Sequence, residues 1–202
     1  SAGTATGATT VALNLAMELS LLDKKTLLID ANFEAPAVAS LLALRSINEG
    51  HTWRTIAPNL YAGELSQETT QDIHQLLHGA SEEFDFIIID LGAAGRITQK
   101  MTDRRLLGRT RLEELIDELK QTSLSAQPTF LLNGKSPSRK GDSEEPSFQS
   151  IISDLGQRAT FTLPKDHRAI ENSLAERATL AEVSERSSLR KGLASIAAQL
   201  AS

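Results

Sequence analysis

The sequence predicts an α/β protein, a doubly wound, mostly parallel sheet flanked by helices, and three observations carry that prediction. Short apolar runs alternate along the chain with segments of helical periodicity. Two of those runs, Lys25-Thr-Leu-Leu-Ile-Asp30 and Phe84-Asp-Phe-Ile-Ile-Ile-Asp90, are nearly unbroken in hydrophobicity and end on an aspartate, as buried parallel strands do. The chain opens on small residues, Ser1-Ala-Gly-Thr-Ala-Thr-Gly-Ala-Thr-Thr10, that lead straight into an apolar-periodic stretch, so a tight turn feeds a helix.

Val11, Leu15, Ala16, Leu19 and Leu22 recur at helical spacing, which predicts a helix over Thr10–Leu22 with one face on the sheet. Lys25–Ile29 follows as a strand closed by Asp30. Further elements are expected at Asn59–Glu64, Thr69–Leu77, Phe84–Asp90, Arg104–Leu107, Arg111–Gln121, Thr129–Asn133, Ser147–Leu155, Thr160–Leu163, Ala169–Glu176 and Ser187–Ala201. Residues 134–146, Gly-Lys-Ser-Pro-Ser-Arg-Lys-Gly-Asp-Ser-Glu-Glu-Pro, are polar and rich in breakers, and predict a mobile loop. The terminal helix places Leu189, Leu193, Ile196 and Leu200 on one stripe, which reads as a face docked on the sheet. The alternative is a membrane-surface helix with Arg190 and Lys191 at the headgroups, and it lacks the aromatics and further basic residues such a helix uses.

With 202 residues the chain fits one domain, 1–202, and can bury a sizeable core. A formal net charge of −5 gives no strong nucleic-acid signal. The absence of cysteine excludes disulfides, thiolate metal sites and iron–sulfur clusters. No apolar run is long enough to span a bilayer and no signal peptide is visible, so the expected location is the cytoplasm.

The opening turn carries the chemistry. A phosphate loop, G-x-x-x-x-G-K-[ST], uses its last Gly for close backbone approach, its Lys as a charge on the outer phosphates and its Ser/Thr hydroxyl for Mg²⁺. Gly7 and Thr9 fit that pattern, whereas Ala2 stands at the first Gly and Ala8 at the Lys. The helix that follows turns its free N–H groups and dipole toward the same point. Thr9 is the candidate Mg²⁺ ligand; helix capping by Thr9 or Thr10 is the competing reading. Asp30 and Asp90 end their strands at the carboxyl edge of the sheet, where ligands bind in such folds. His74 and His78 share a helix face at i, i+4, with no third ligand evident.

Taken together, Thr9 to Ala16, Lys25 to Asn32 and Phe84 to Asp90 resemble the ParA/MinD superfamily of deviant phosphate-loop ATPases, whose loop reads K-G-G-x-G-K-T-T. Laid on Gly3 to Thr10, that pattern keeps Gly7, Thr9 and Thr10 and loses both lysines, to Gly3 and Ala8. The Gly-Ala-Thr-Thr form is similar to the CpaE/TadZ branch, proteins that position the secretion machinery of Flp-type (tight-adherence) pili. The resemblance implies an ATP or ADP site with Mg²⁺ in which Gly7, Ala8, Thr9 and Thr10 cradle the phosphates. Asp90 then resembles the Walker-B acid of the Mg²⁺ shell, and Asp30 the acid that positions the attacking water or Mg²⁺. Asn133 and the Pro164-Lys-Asp166 loop would surround the adenine. Asn32 replaces a second acid often found in the family, and Asn cannot act as a base.

The resemblance also implies a strand before the phosphate loop, here expected upstream of Ser1, and a homodimer formed through the nucleotide face. Partners would be pilus or secretion machinery, with recruitment to a cell pole or the inner membrane face through those partners. Phosphoryl transfer relies on charge neutralisation, and removing a preorganised cation costs on the order of a hundredfold. The chain is therefore expected to be at most a weak ATPase. Arg96 and Arg109 follow strand ends and are the available substitutes for the lost lysines. Two other readings stay open: an active partitioning or division-site ATPase, and a protein-interaction scaffold that binds no nucleotide.

Overall fold

The computed structural model describes residues 7–32, 36–44, 53–65, 73–90, 130–135 and 159–202. The expected elements Arg104–Leu107, Arg111–Gln121 and Ser147–Leu155 lie outside the described residues, as do Arg96 and Arg109. The contacts divide the chain into two compact units, one formed by 1–94 with 164–202 and the other by 95–163.

The first unit is built on a four-stranded sheet. Helix α1 (Ala8–Ser20) leads into β1 (Thr26–Asp30), followed by the short helix α2 (Val38–Leu41), strands β2 (Arg54–Ala57) and β3 (Leu60–Glu64), helix α3 (Ile73–Glu83) and β4 (Phe86–Asp90). The strand order is β2-β3-β1-β4. Strand β1 pairs in parallel with both β3 and β4, and β2 is antiparallel to β3. The sheet is thus mostly parallel, as its sequence predicts. Strand β2 is an addition: Pro58 and Asn59, the latter in a left-handed conformation (φ 61°), fold it back on β3 as a hairpin.

Strand β1 is buried along its whole length, so its side chains divide between two cores. Leu28 joins Leu13, Ala16 and Met17 of α1 with Val38, Leu60 and Ala62. Leu27 and Ile29 face the other way, toward Ala80, Phe84 and Leu65 at α3. Helices on both faces of one sheet make the doubly wound arrangement.

The end of the chain adds α4 (His167–Glu176), α5 (Leu180–Val183) and α6 (Ser188–Leu200) to this unit. Helix α6 packs on α1 through Leu189, Leu193, Ile196 and Ala197, while Leu200 stays exposed. The contact carries a charge pair: Arg190 Nε donates to Glu18 Oε1 at 2.7 Å, with the Glu18 side chain only 6% exposed. A buried carboxylate needs such a partner. Arg190, one of the two basic residues considered for the headgroups, is therefore spent inside the fold, and the terminal helix is docked, though on α1 and not on the sheet as expected. Asn14 ties α1 to α5, its Oδ1 accepting the Leu180 N–H at 2.6 Å and its Nδ2 donating to Thr10 O at 2.8 Å.

The second unit contains the two-stranded sheet of β5 (Phe130–Lys135) and β6, which runs Ala159–Pro164 into the boundary. Gly134 and Lys135, placed by sequence in the mobile segment, extend β5 instead. Residues 136–146 lie outside the described set.

Candidate functional site

The site is assembled from a helix start and two strand ends. Gly7 is the N-cap of α1 and sits in the left-handed region (φ 73°, ψ 16°), which an L side chain enters only at a cost, so the small residue here is structural as well as steric. Among the described residues no side chain caps the helix, and the first N–H with an acceptor is that of Val11, bonded to Gly7 O at 2.9 Å. The N–H groups of Ala8, Thr9 and Thr10 precede it and receive no intrahelical acceptor. The helix starts at Ala8, two residues before the start expected from periodicity, so Thr9 and Thr10 lie inside the first turn and neither serves as the cap. Ala8 is exposed and Thr9 half-buried.

Helix length fixes where this start lies. Only five residues separate Ser20 from Thr26, so α1 must double back along β1. Thirteen helical residues rise about 20 Å and five strand residues about 16 Å, which brings the α1 amino end level with the carboxyl end of β1. Asp30 and Asp90 occupy that end in register as paired positions of adjacent parallel strands. With period two along each strand, Asp30 shares the face of Leu28 and Asp90 that of Ile88, the face covered by α1. Both carboxylates are buried, 1% and 3% exposed.

The two acids are used differently. Asp30 Oδ1 accepts the Asn32 N–H at 3.1 Å, and its Oδ2 accepts the N–H groups of Ala37 and Val38 at 2.8 and 3.0 Å. It is the acceptor that folds the chain after β1 and starts α2. At most one lone pair, on Oδ1, is left for any other group. This structural role was not expected for Asp30, which the sequence placed at the strand end and the resemblance cast as the acid that positions the attacking water or Mg²⁺.

The residues named for the base pocket fall in both units. Asn133 lies in β5. Pro164 ends β6 and is half-buried. Asp166 caps α4: Oδ1 accepts the Ala169 N–H at 3.1 Å, and Oδ2 accepts the N–H and hydroxyl of Ser188, both at 3.2 Å, joining the starts of α4 and α6. Burial raises its pKa, but the N–H of Ala169, the Ser188 hydroxyl and N–H and the Leu189 N–H outweigh that and hold it below the usual carboxylate range. Among the described residues no cluster of three metal-ligating side chains occurs, and His78 is exposed, 4.0 Å from Glu82.

Hard oxygen donors beside free helix N–H groups are the chemistry a magnesium–nucleotide uses. Asp90 and the Thr9 hydroxyl could supply the first, and the backbone of Gly7 to Thr10 the second. Ala8 supplies no cation at this point.

No protein-family profile and no curated protein sequence matches the chain. Solved structures do. MinD, the septum site-determining protein of Pyrococcus horikoshii bound to Mg-ADP, is 18% identical with a TM-score of 0.72, over 99% of this chain and 92% of that one. The MinC:MinD complex of Aquifex aeolicus aligns at 15% identity and TM-score 0.73, over 99% and 92%. A ParA family ATPase from Chlorobium tepidum aligns at 18% identity and TM-score 0.68, over 96% and 94%. The neighbours are ParA/MinD family ATPases, and the chain has their fold, a mostly parallel sheet flanked by helices.

Proposed function

We propose that this chain is a nucleotide-binding positioning and assembly factor, of the CpaE/TadZ type, serving Flp-pilus or secretion machinery, with a degenerate phosphate loop and little or no hydrolysis. The observation that carries the reading is the uncapped, left-handed start of α1 at Gly7, level with Asp30 and Asp90. Backbone N–H groups there suit phosphate oxygens. Thr9 and Asp90 would hold Mg²⁺, which when bound neutralises phosphate charge. Within the first unit, Pro164 and Asp166 would face the base, as the resemblance implies.

Two features argue for binding without brisk turnover. Ala8 and Gly3 remove both loop lysines, leaving phosphate charge to backbone dipoles and the metal. Asp30 has little capacity left to orient a water, since three backbone N–H groups already occupy it. The MinD and McdA structures of the same fold include complexes with Mg-ADP and with ATP, and one MinD structure includes its partner MinC. By analogy we place a homodimer on the nucleotide face, with the bound nucleotide as its switch, in the cytoplasm and recruited by partners.

Calorimetric titration with Mg-ATP and Mg-ADP tests the reading. Saturable binding that Asp90→Ala weakens at least tenfold, with phosphate release far below that of an intact ATPase, is the expected result. No binding would convert the protein to a scaffold. Rapid release abolished by Asp30→Ala would restore the active ATPase.

A further inference from the structure

Helix α3 carries a row of residues that the nucleotide reading does not use. Leu76, Leu77 and Ala80 join Leu27 and Ile29 of β1 in one core and bury that side of the helix. On the opposite side, at a spacing of four, stand His74, His78 and Glu82. His78 and Glu82 are exposed, and His78 Nε2 lies 4.0 Å from Glu82 Oε1. That is too long for a hydrogen bond, and two exposed side chains at such a distance hold each other only weakly. The side chain of His74 lies outside the described residues, and helix register alone puts the residue one turn before His78.

Two histidines at i and i+4 are the spacing at which a helix can offer a pair of nitrogens to one metal ion, with Cβ atoms about 6 Å apart and metal–nitrogen bonds of about 2 Å. The 4.0 Å between His78 Nε2 and Glu82 Oε1 is a gap that two such bonds can span. Glu82 is thus the third donor that sequence reading left unseen. Donor type selects the ion: imidazole with one carboxylate suits Zn²⁺, Cu²⁺ or Ni²⁺, whereas Mg²⁺ takes oxygen ligands. The chain has no cysteine, so no thiolate competes for an ion of that class.

We propose that His74, His78 and Glu82 form a surface site for a divalent transition ion, with Zn²⁺ the best match to two nitrogens, one oxygen and a water. Gln75 stands where the H-E-x-x-H helix of metalloproteases places its Glu base, so the ion is held without a group to activate that water. Its effect is mechanical. The ion ties successive turns of α3 together across Gly79, a helix-interior glycine whose added Cβ would meet nothing and whose missing side chain weakens that stretch. Because the ligands come together only in the helix, binding favours the folded chain. The site lies on the face of the sheet opposite α1 and does not depend on the nucleotide reading.

Zn²⁺ and Mg²⁺, each alone and without nucleotide, are titrated into the whole chain and followed by calorimetry, by the histidine ring resonances and by the melting temperature. Zn²⁺ is expected to bind one to one, to shift the rings of His74 and His78 and to raise the melting temperature, all reversed by excess chelator, while Mg²⁺ leaves those rings unmoved. His74→Ala and His78→Ala, on the helix face away from the core, are each expected to weaken Zn²⁺ binding at least tenfold, and Glu82→Gln severalfold. His78→Ala combined with Gly79→His keeps the number of histidines but moves one off the face, and is expected to bind no better than His78→Ala alone. No saturable Zn²⁺ binding, or binding that either alanine variant leaves intact, would overturn the site. Full binding by the shifted-histidine variant would overturn the helix-face geometry, unchanged binding by Glu82→Gln would overturn the third ligand, and Mg²⁺ moving the same rings as strongly would overturn the ion class.

Discussion

Strands β1 and β4 are near copies in sequence, Thr-Leu-Leu-Ile-Asp and Phe-Ile-Ile-Ile-Asp, and lie side by side in register, yet they do different work. All five positions of β1 are buried, between neighbours on both edges and helices on both faces. In β4 the three residues before Ile89 are half-buried and Ile89 is 38% exposed. The terminal acids diverge too, since Asp30 organises the chain that follows it through three backbone N–H groups. An apolar run with a final aspartate therefore specifies a strand and its end, but its neighbours decide how deeply it is buried and what the acid holds.

The largest test of that contrast is a matched pair of truncations. Ile29→Ala removes a side chain with no exposed surface and should cost about 3–4 kcal/mol, whereas Ile89→Ala should cost about 1 kcal/mol. Urea denaturation at constant m-value separates them. Equal losses would mean that the difference in burial does not set the energetics of the two strands.

Next in size is the pair of acids. Asp30→Ala strands three N–H groups, two of them at the start of α2, and should destabilise by about 3 kcal/mol. For a domain of this size that lowers the melting temperature by roughly 6–12 °C. Asp90→Asn keeps the size and one acceptor oxygen of the side chain and should change stability by less, about 1 kcal/mol. Its effect should appear instead in Mg-nucleotide affinity. A reversal, with Asp30 dispensable to folding, would remove its structural role.

How much of this was legible from sequence follows the same line. The helix from the small-residue turn, strands β1, β3 and β4, and the terminal helix were readable because each has a long apolar period or run. Strand β2 and helices α2 and α5 were not: four residues each give too short a pattern. For α5 a signal did exist, since Thr179 and Glu182 form a capping box, with Glu182 Oε2 accepting both the Thr179 N–H and hydroxyl at 2.8 Å. The Glu18–Arg190 and Asn14–Leu180 ties span more than 160 residues of sequence, so no local pattern announces them. In the site, the positions of Gly7, Asp30 and Asp90 were readable as element ends, while the partners of Asp30 depended on how the next segment turns back.

A smaller effect probes the other edge of β1. The Trp53 ring covers Gly63 of β3 so closely that a Cβ there would run into it. Gly63→Ala should therefore cost about 2 kcal/mol by displacing the ring, with a red shift in Trp53 emission, while Gly79→Ala on α3, which meets open space, should stabilise by up to about 1 kcal/mol. If both glycines tolerate alanine equally, the ring is not packed on the strand.

The smallest expected effect concerns a third acid, Asp166, which resembles Asp30 in serving backbone donors but does so near the surface. Its pKa is lowered in the folded chain because the Ala169, Ser188 and Leu189 donors outweigh the opposing effect of burial. A depressed folded value stabilises the native state above the unfolded carboxylate pKa near 3.9, and that contribution disappears as pH falls through the lower folded value. The melting temperature of the native chain should then begin to converge on that of Asp166→Asn as pH falls past the unfolded value, and meet it below the lower folded value, with the variant lower only on the neutral side. Solvent screening keeps the gap small. A gap that persists unchanged at pH 3 would mean that Asp166 joins α4 to α6 by packing alone and that its charge contributes nothing to the junction.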